Sequence, residues 1–376
     1  MSAKPNGNGE AFSRRKVDGE EFPKTLEGFG YGFNEKGQLR QLEDPEAGFV
    51  FEAKPGDRAY NQKRYEALGE VITEEIYKLL ETKTNLKKVF IPVDASPHEP
   101  RGFFFASDDA FTNERLLILI HGSGVVRAGQ WARRLLINED IDSGSQIPYI
   151  KYALEMGFGV VVLNTNQNRA SKPDGEEGLI RGSEEPISHA LYVWDNFIRN
   201  AVASQIAIVA HSAGGYVTVN LAHERCDEFI EKVFAVAFTD SVHSAKEKSS
   251  SWGHMVEVAR NWVTSNAELG KPEKRRLNDV DRVSAGTLSH EKTSSSAFSD
   301  IKQFIKKRYE FVSAKNPAVQ VANEESKVSE NAVESNADDS IPAPNGMSGE
   351  SNTPKAEHEV SVGSPEEKAQ AQKTEL

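Results

Sequence analysis

Short apolar strands alternate with longer helical segments along most of this 376-residue chain. The sequence predicts strands at 89–93, 102–106, 116–120, 159–164, 205–210, 232–239 and 282–285, and helices at 61–81, 145–156, 186–203, 215–224, 252–263 and 298–311. Brief, purely apolar strands are typical of a sheet that is buried on both faces. Their alternation with helices of ten or more residues predicts an α/β fold, in which a mainly parallel sheet has helices on both sides.

The composition excludes several classes of protein. Hydrophobic residues make up 38% of the chain and charged residues 27%, which is too apolar for wholesale disorder. No apolar run approaches the roughly 20 residues of a membrane helix, so we predict no membrane span. The single cysteine excludes an intramolecular disulfide, and we predict no metal and no cofactor because the Cys/His sets of zinc sites are missing. The net charge of −12 argues against non-specific nucleic-acid binding, and we find no nucleic-acid motif.

Changes in composition divide the chain into three parts. Residues 1–21 are polar and predict a flexible N-terminal arm. Residues 22–312 contain the alternating elements and predict one α/β domain. Residues 313–376 contain no Phe, Tyr or Trp and carry 12 acidic against 5 basic side chains. This segment cannot bury enough apolar surface to offset its ordering entropy, so we expect a disordered acidic tail.

The strand at 205–210 runs directly into His211, Ser212, Ala213 and Gly214, and a helix follows. This arrangement resembles the nucleophile elbow of α/β-hydrolases, G-x-S-x-G, in which a tight strand-to-helix turn exposes the serine hydroxyl. Ala210 replaces the first glycine and keeps the position small. We therefore predict that Ser212 is a nucleophile. The alternative is an ordinary strand–turn–helix with a serine N-cap.

A second glycine-rich turn follows the strand at 116–120 and reads His121-Gly-Ser-Gly124. Acyl transfer requires two preorganised backbone N–H groups that bind the oxyanion. We predict one donor from this loop, which contains Gly122, Ser123 and Gly124, and the other from Ala213 after the nucleophile. The alternative is a simple glycine turn after a core strand.

An acid and a base follow the serine in the order that hydrolases of this type use. Asp240 comes at the end of the strand at 232–239, where open α/β sheets build their sites. His290 precedes the last helix and is the expected base, with His243 and His254 as rivals. The alternatives are a capping role for Asp240 and a solvated loop position for His290. A triad of Ser212, Asp240 and His290 would hydrolyse an ester or thioester of unknown acyl group.

Two further features concern the surface and the termini. The cationic segment at 125–134 contains Trp131, and we expect a solvated helix face there, with pocket formation or binding of an acidic group as the alternatives. The N-terminus has no apolar leader, which predicts no secretory signal. The chain ends in Lys373-Thr-Glu-Leu376, which resembles an endoplasmic-reticulum retention signal.

Several unusual segments match one family. The most specific are His121-Gly-Ser-Gly-Val-Val-Arg-Ala-Gly-Gln-Trp-Ala-Arg-Arg134, Tyr192-Val-Trp-Asp195 and Thr239-Asp-Ser-Val-His243, with further matches at 22–29, 33–40, 61–70, 137–140, 210–212 with 214–215, and 283–287 with 290–291. Over about residues 22–311 the chain resembles the argonaute-binding α/β-hydrolase-like domain family, in particular its animal cotranscriptional regulators.

The resemblance carries expectations about function. It implies a regulator of RNA processing, alternative splicing and gene silencing that acts as an adaptor. The implied partners are an argonaute protein, a chromatin remodeller and splicing factors, and the implied location is the nucleus and cytoplasm. The positions that would form a hydrolase triad in this family fall on Ser212, Asp240 and His290.

Overall fold

The computed structural model describes residues 21–315, apart from 174, 245–248, 275 and 277–278, as a sheet between two layers of helices. The strands are β1 (Tyr31–Phe33), β2 (Leu39–Gln41), β3 (Lys87–Ile91), β4 (Gly102–Ala106), β5 (Arg115–Ile120), β6 (Gly159–Val162), β7 (Arg169–Ser171), β8 (Glu177–Leu179), β9 (Gln205–His211), β10 (Val233–Thr239), β11 (Ala259–Val263) and β12 (Asp281–Ser284). The helices are α1 (Arg58–Thr84), α2 (Arg133–Asn138), α3 (Ile141–Gly144), α4 (Ile147–Glu155), α5 (Pro186–Val193), α6 (Ala213–Glu224), α7 (Cys226–Lys232), α8 (Ser250–Val258), α9 (Thr293–Ser296) and α10 (Phe298–Ala314).

Eight of these strands form the central sheet, in the order β12-β11-β10-β9-β5-β6-β4-β3. Strand β4 is antiparallel to both of its neighbours, β3 and β6, and all other neighbouring strands are parallel. This order, with the second strand reversed, is the architecture of the α/β-hydrolase fold. The predicted fold class is therefore confirmed. Two small antiparallel hairpins, β1–β2 and β7–β8, lie outside the sheet.

The side chains of the central strands alternate between two apolar layers. In β5, Leu117 and Leu119 pack into the cluster that contains α1, α4 and α10. Ile118 and Ile120 pack into the opposite cluster, which contains α5, α6, α7 and α8. Burial on both faces explains why these strands are apolar throughout instead of alternating with polar residues.

Two of the predicted helices end earlier than the sequence indicated. The helix predicted at 252–263 is wrong over its second half, because α8 ends at Val258 and residues 259–263 form β11 between β10 and β12. Arg260 and Asn261 interrupt the apolar residues of β11, so this segment lacks the continuous apolar run that predicts a buried strand. The helix predicted at 186–203 stops at Val193 and continues only as a π-helical turn, Trp194–Ile198.

The three-part division of the chain stays a prediction. The predicted arm at 1–21 lies outside the described residues except for Glu21, and the predicted tail lies outside them beyond Lys315. Helix α10 continues to Ala314, two residues past the predicted domain boundary. None of the described helices combines the length and the hydropathy needed to cross a membrane.

The start of α6 lies so close to β5 that Gly214 cannot be replaced without movement of the backbone. A Cβ atom at Gly214 would lie 2.7 Å from the Ile120 carbonyl oxygen and 2.8 Å from that of His121.

We expect Gly214→Ala to lower the free energy of unfolding by about 1–3 kcal/mol, measured by urea denaturation. Gly253→Ala in α8 is the matched control, since a Cβ there meets nothing within 4 Å and alanine favours the helix. Equal stability of Gly214→Ala and the wild type would contradict this packing.

Candidate active site

Ser212 occupies a strained turn between β9 and α6. Its backbone angles, φ 51° and ψ −121°, lie outside the regions that side chains other than glycine usually adopt, at a cost of about 1–3 kcal/mol. Three backbone hydrogen bonds hold the turn. The Ser212 N–H donates to the Thr239 carbonyl (3.0 Å), and the Ser212 carbonyl accepts from Val242 (3.0 Å) and Gly215 (3.1 Å). The turn therefore presents a partly exposed serine at the carboxyl end of β9.

Asp240 and His290 form a direct hydrogen bond, with His290 Nδ1 2.7 Å from Asp240 Oδ2. The other oxygen, Oδ1, accepts from the Thr264 N–H (3.2 Å), and the Asp240 N–H donates to the Trp262 carbonyl in β11 (2.7 Å). With Nδ1 protonated for this contact, Nε2 of His290 is left as a proton acceptor. The structure thus brings together the two side chains that the sequence predicted as acid and base.

The Asp240–His290 contact shifts both side chains toward their charged forms. Burial raises the pKa of Asp240, but the hydrogen bonds from His290 and Thr264 outweigh it, and the net pKa lies below its ordinary value. The hydrogen bond to Asp240 raises the pKa of His290 above 6.5, with burial opposing. The pair therefore favours the imidazolium that a general base forms as it takes a proton.

Ser212 lies beside this pair without being bonded to it. The His290 ring packs over the ring of His211, with centroids 4.8 Å apart, and His211 directly precedes Ser212. Within the described part of the chain, the Ser212 hydroxyl has no hydrogen-bond partner. Hydrogen bonds between nucleophile and base are often long before substrate binds. The structure thus gathers the three residues at one edge of the sheet and joins only two of them directly.

The loop after β5 runs alongside Ser212. A Cβ atom at Gly122 would lie 3.1 Å from Ser212 Cβ, and Gly124 has the positive φ of 97° that glycine adopts freely. The side-chain amide of Asn166 donates to the carbonyls of Gly122 (2.9 Å) and Val126 (3.1 Å), which fixes the peptide planes of the loop. Over the described residues, no acceptor is bonded to the N–H groups of Gly122, Ser123, Gly124 and Ala213. The loop and Ala213, which the sequence predicts to supply one oxyanion donor each, therefore both retain unbonded N–H groups.

Three other histidines near the site are buried and neutral. Burial lowers the pKa of His121 to about 4 and that of His211 to about 3. His189, which accepts from the Asn164 N–H, has its pKa lowered by burial to about 3. Because their pKa values are this low, all three are weak proton acceptors at neutral pH. His290 differs from them because it is half-exposed and bonded to a carboxylate.

The rival bases are committed to other partners. His254 Nε2 lies 2.7 Å from the Val233 carbonyl, at the opposite end of β10 from Ser212. His243 bridges Ser241 Oγ and Asp279 Oδ1, at 2.9 Å from each. Neither rival competes with His290 for Asp240.

The Ser241–His243–Asp279 chain supports the elbow, and sequence analysis missed it. Arg282 completes the chain by donating to the second oxygen of Asp279 (2.8 Å). Burial raises the pKa of Asp279, but the bonds from His243 and Arg282 outweigh it and hold that pKa at about 2. Ser241 packs so tightly on α6 that a Cβ at Gly215 would lie 1.6 Å from its hydroxyl oxygen. No sequence motif indicates this contact, because Asp279 follows His243 by 36 residues.

Surface ion pairs anchor the loop that carries His290. Glu291 pairs with Arg134 in α2, and Lys292 pairs with Glu139 at 2.7 Å.

Arg134 belongs to the cationic segment at 125–134, for which the expected solvated helix face is wrong. Trp131 and Arg133 in that segment are buried, because the loop folds inward against α1 and α4. The described residues contain no group of three or more His, Cys, Asp or Glu side chains that could hold a metal ion.

Comparisons with known proteins place the chain among relatives of similar length. The model of the Arb2 domain matches residues 22–269. The chain is 44% identical to "Cotranscriptional regulator ARB2A" of Homo sapiens, over 80% of this chain and 84% of that protein. It is 45% identical to the Mus musculus protein of the same name, over 76% and 80%.

Solved structures are much more distant. The histone deacetylase Clr3 aligns with a TM-score of 0.45 and 14% identity, over 68% of this chain and 45% of that one. The bacterial heroin esterase aligns with a TM-score of 0.28 and 19% identity, over 54% and 56%. The fold assignment therefore rests on the strand order itself.

We expect Asp240→Asn to lower the pKa of His290, because the variant removes the negative charge that stabilises the imidazolium. NMR titration of the His290 Cε1 proton measures this pKa, and the His290→Gln spectrum assigns the signal. The same shift makes the free energy of unfolding depend on pH. Since the pKa of His290 is raised in the folded state, its contribution to the free energy of unfolding is fully present below pH 6.5 and is lost as the pH rises through the folded-state pKa.

Asp281→Asn is the matched control for this titration. Asp281 forms an exposed ion pair with Arg260, and among the described residues it makes no hydrogen bond or ion pair with His290. We expect the pKa of His290 to be unchanged in this variant. Identical titrations of Asp240→Asn and the wild type would show that the Asp240–His290 bond does not form in solution.

Proposed function

The chain belongs to the Arb2 domain family, and on this premise we propose that it is a cotranscriptional regulator whose α/β-hydrolase fold keeps a working serine hydrolase site. The regulator assignment is supported by curated relatives that carry this name, which share 44–46% identity over about 80% of both chains. In this proposal the chain acts as an adaptor in RNA processing, alternative splicing and silencing. Its partners are an argonaute protein, a chromatin remodeller and splicing factors, and it works in the nucleus and cytoplasm.

The hydrolase activity is supported above all by the 2.7 Å contact between His290 and Asp240 beside the strained Ser212 turn. A fold that served only as a scaffold would not need to keep a costly turn at a serine. Nor would it need a half-exposed histidine oriented by a carboxylate at the same edge. The substrate class that fits is an ester or thioester.

The proposed reaction uses each group in turn. Nε2 of His290 takes the hydroxyl proton of Ser212 as Oγ attacks the acyl carbonyl, and Asp240 stabilises the imidazolium. The carbonyl oxygen becomes an oxyanion that binds N–H groups of the Gly122 loop and of Ala213. Collapse expels the alcohol or thiol, which receives the proton from His290. Water then repeats the sequence on the acyl-serine, releasing the carboxylic acid and restoring Ser212.

A fluorophosphonate probe tests the hydrolase proposal directly. We expect the purified protein to be labelled and Ser212→Ala to lose the label, because the probe reacts only with an activated serine. Ser204→Ala is the matched control, since Ser204 is exposed at the opposite end of β9 and should leave labelling intact. A folded wild-type protein without label would overturn the proposal.

Affinity purification from nuclear extract tests the adaptor proposal. We expect an argonaute protein and splicing factors to co-purify with the tagged chain, and equally with Ser212→Ala, because partner binding does not use the serine. Absence of all these partners from both samples would contradict the adaptor role. Loss from Ser212→Ala alone would show that partner recognition passes through the active site.

A further inference from the structure

Four exposed apolar side chains surround the Ser212–His290 edge. They are Val125 (53% exposed), Tyr216 (49%), Val242 (63%) and Leu288 (75%). Each lies next to a group already described. Val125 follows the glycines of the oxyanion loop, and Tyr216 is in the first turn of α6. The Val242 N–H bonds to the Ser212 carbonyl, and Leu288 is two residues before His290. We call these four residues the apolar rim.

The four residues of the apolar rim all belong to segments that build the Ser212 site. The described part of the chain exposes twelve large apolar side chains, and these four fall in the short segments that build one site. Single exposed apolar residues are ordinary, but contiguous groups mark sites of interaction. The rim therefore offers apolar surface to a ligand bound at Ser212.

The same segments almost lack charge. Charged residues make up 27% of the whole chain, yet Asp240 is the only Asp, Glu, Lys or Arg in 121–126, 212–216, 240–243 and 285–290. Asp240 is itself bonded to His290. The charged side chains that flank these segments are already engaged, because Arg127 donates to the Gly124 and Val126 carbonyls and Glu291 pairs with Arg134. A charged substrate group would therefore find no free partner there, whereas a hydrocarbon chain would displace only water.

We propose that the Ser212 site takes esters or thioesters whose acyl group is an apolar chain longer than acetyl, which lies across the apolar rim. This inference rests on the proposed hydrolase function and names its substrate class. With the scissile carbonyl at Ser212, the acyl chain must leave across the segments that carry Val125, Tyr216, Val242 and Leu288. Because these side chains are open to solvent, the rim accepts an acyl group carried by a small thiol or by a protein.

A series of p-nitrophenyl esters from acetate to decanoate tests the chain-length preference. Full burial of one methylene corresponds to about a fourfold gain, so on this half-open surface we expect kcat/KM to rise about twofold for each of the first several methylenes. In Leu288→Ser and Val242→Ser the dependence on chain length should become shallower. Val202→Ser is the matched control, since Val202 is 58% exposed, close to the 63% of Val242, and lies just before β9, far from the rim. Its slope should equal that of the wild type.

A binding measurement separates failure of this inference from failure of the hydrolase proposal. The probe is 11-(dansylamino)undecanoate, whose fluorescence rises in an apolar site, added to Ser212→Ala and to Ser212→Ala with Leu288→Ser. Binding to the first protein that weakens in the second supports the rim, even if no ester is hydrolysed. Fluorophosphonate labelling with a flat ester series and no probe binding overturns the rim while the hydrolase stands, and leaves the rim as a surface for protein contact.

The source of the acyl group is resolved by two thioesters with the same chain. Octanoyl-coenzyme A and an S-octanoyl cysteine peptide present one acyl group on a small carrier and on a polypeptide. Faster release from either one identifies the carrier, and both results support the apolar acyl chain. Release from neither, when octanoate esters are also no better than acetate, overturns the inference.

Discussion

The close approach of three chain segments at Ser212 is the constraint on which the rest of the site depends. The loop after β5, the first turn of α6 and the segment after β10 meet there. Gly122, Gly214 and Gly215 are the residues in contact, and a Cβ at any of them would lie 3.1 Å or less from a neighbouring atom. This contact forces the serine into a backbone conformation that it would not otherwise adopt. It also brings the free N–H groups of two different elements to the same place.

Burial and charge then select one histidine from several. His121, His189 and His211 are enclosed by the core and are held neutral by desolvation. His290 stands at the surface of the same edge, where a carboxylate raises its pKa. The selection therefore comes from the surroundings of each ring and not from the residue type. The same core that carries the sheet also removes the competing bases.

Local patterns in the sequence predicted most of the frame, and non-local contacts account for what they missed. The strand–turn–helix at Ser212 and the strand ends at Gly122 and Asp240 are each contained within a few residues, so they can be recognised from the chain alone. Strand β11 was missed because Arg260 and Asn261 break its apolar run, so that its five residues resemble a continuation of α8. The Ser241–His243–Asp279 chain was missed because its members are far apart in the sequence and meet only in the folded protein. The backbone bond from Asp240 to Trp262 was missed for the same reason, since it depends on β11.

The ion pairs that anchor His290 have a consequence for the protein in different surroundings. Arg134–Glu291 and Lys292–Glu139 lie at the surface, where mobile ions screen attraction over about 8 Å at physiological ionic strength. The Asp240–His290 bond is about as exposed as the Lys292–Glu139 pair. Rising salt therefore weakens the anchors of the loop that carries the base and the bond that orients the base together. Dissolved counter-ions thus act on the mobility of the base through its anchors.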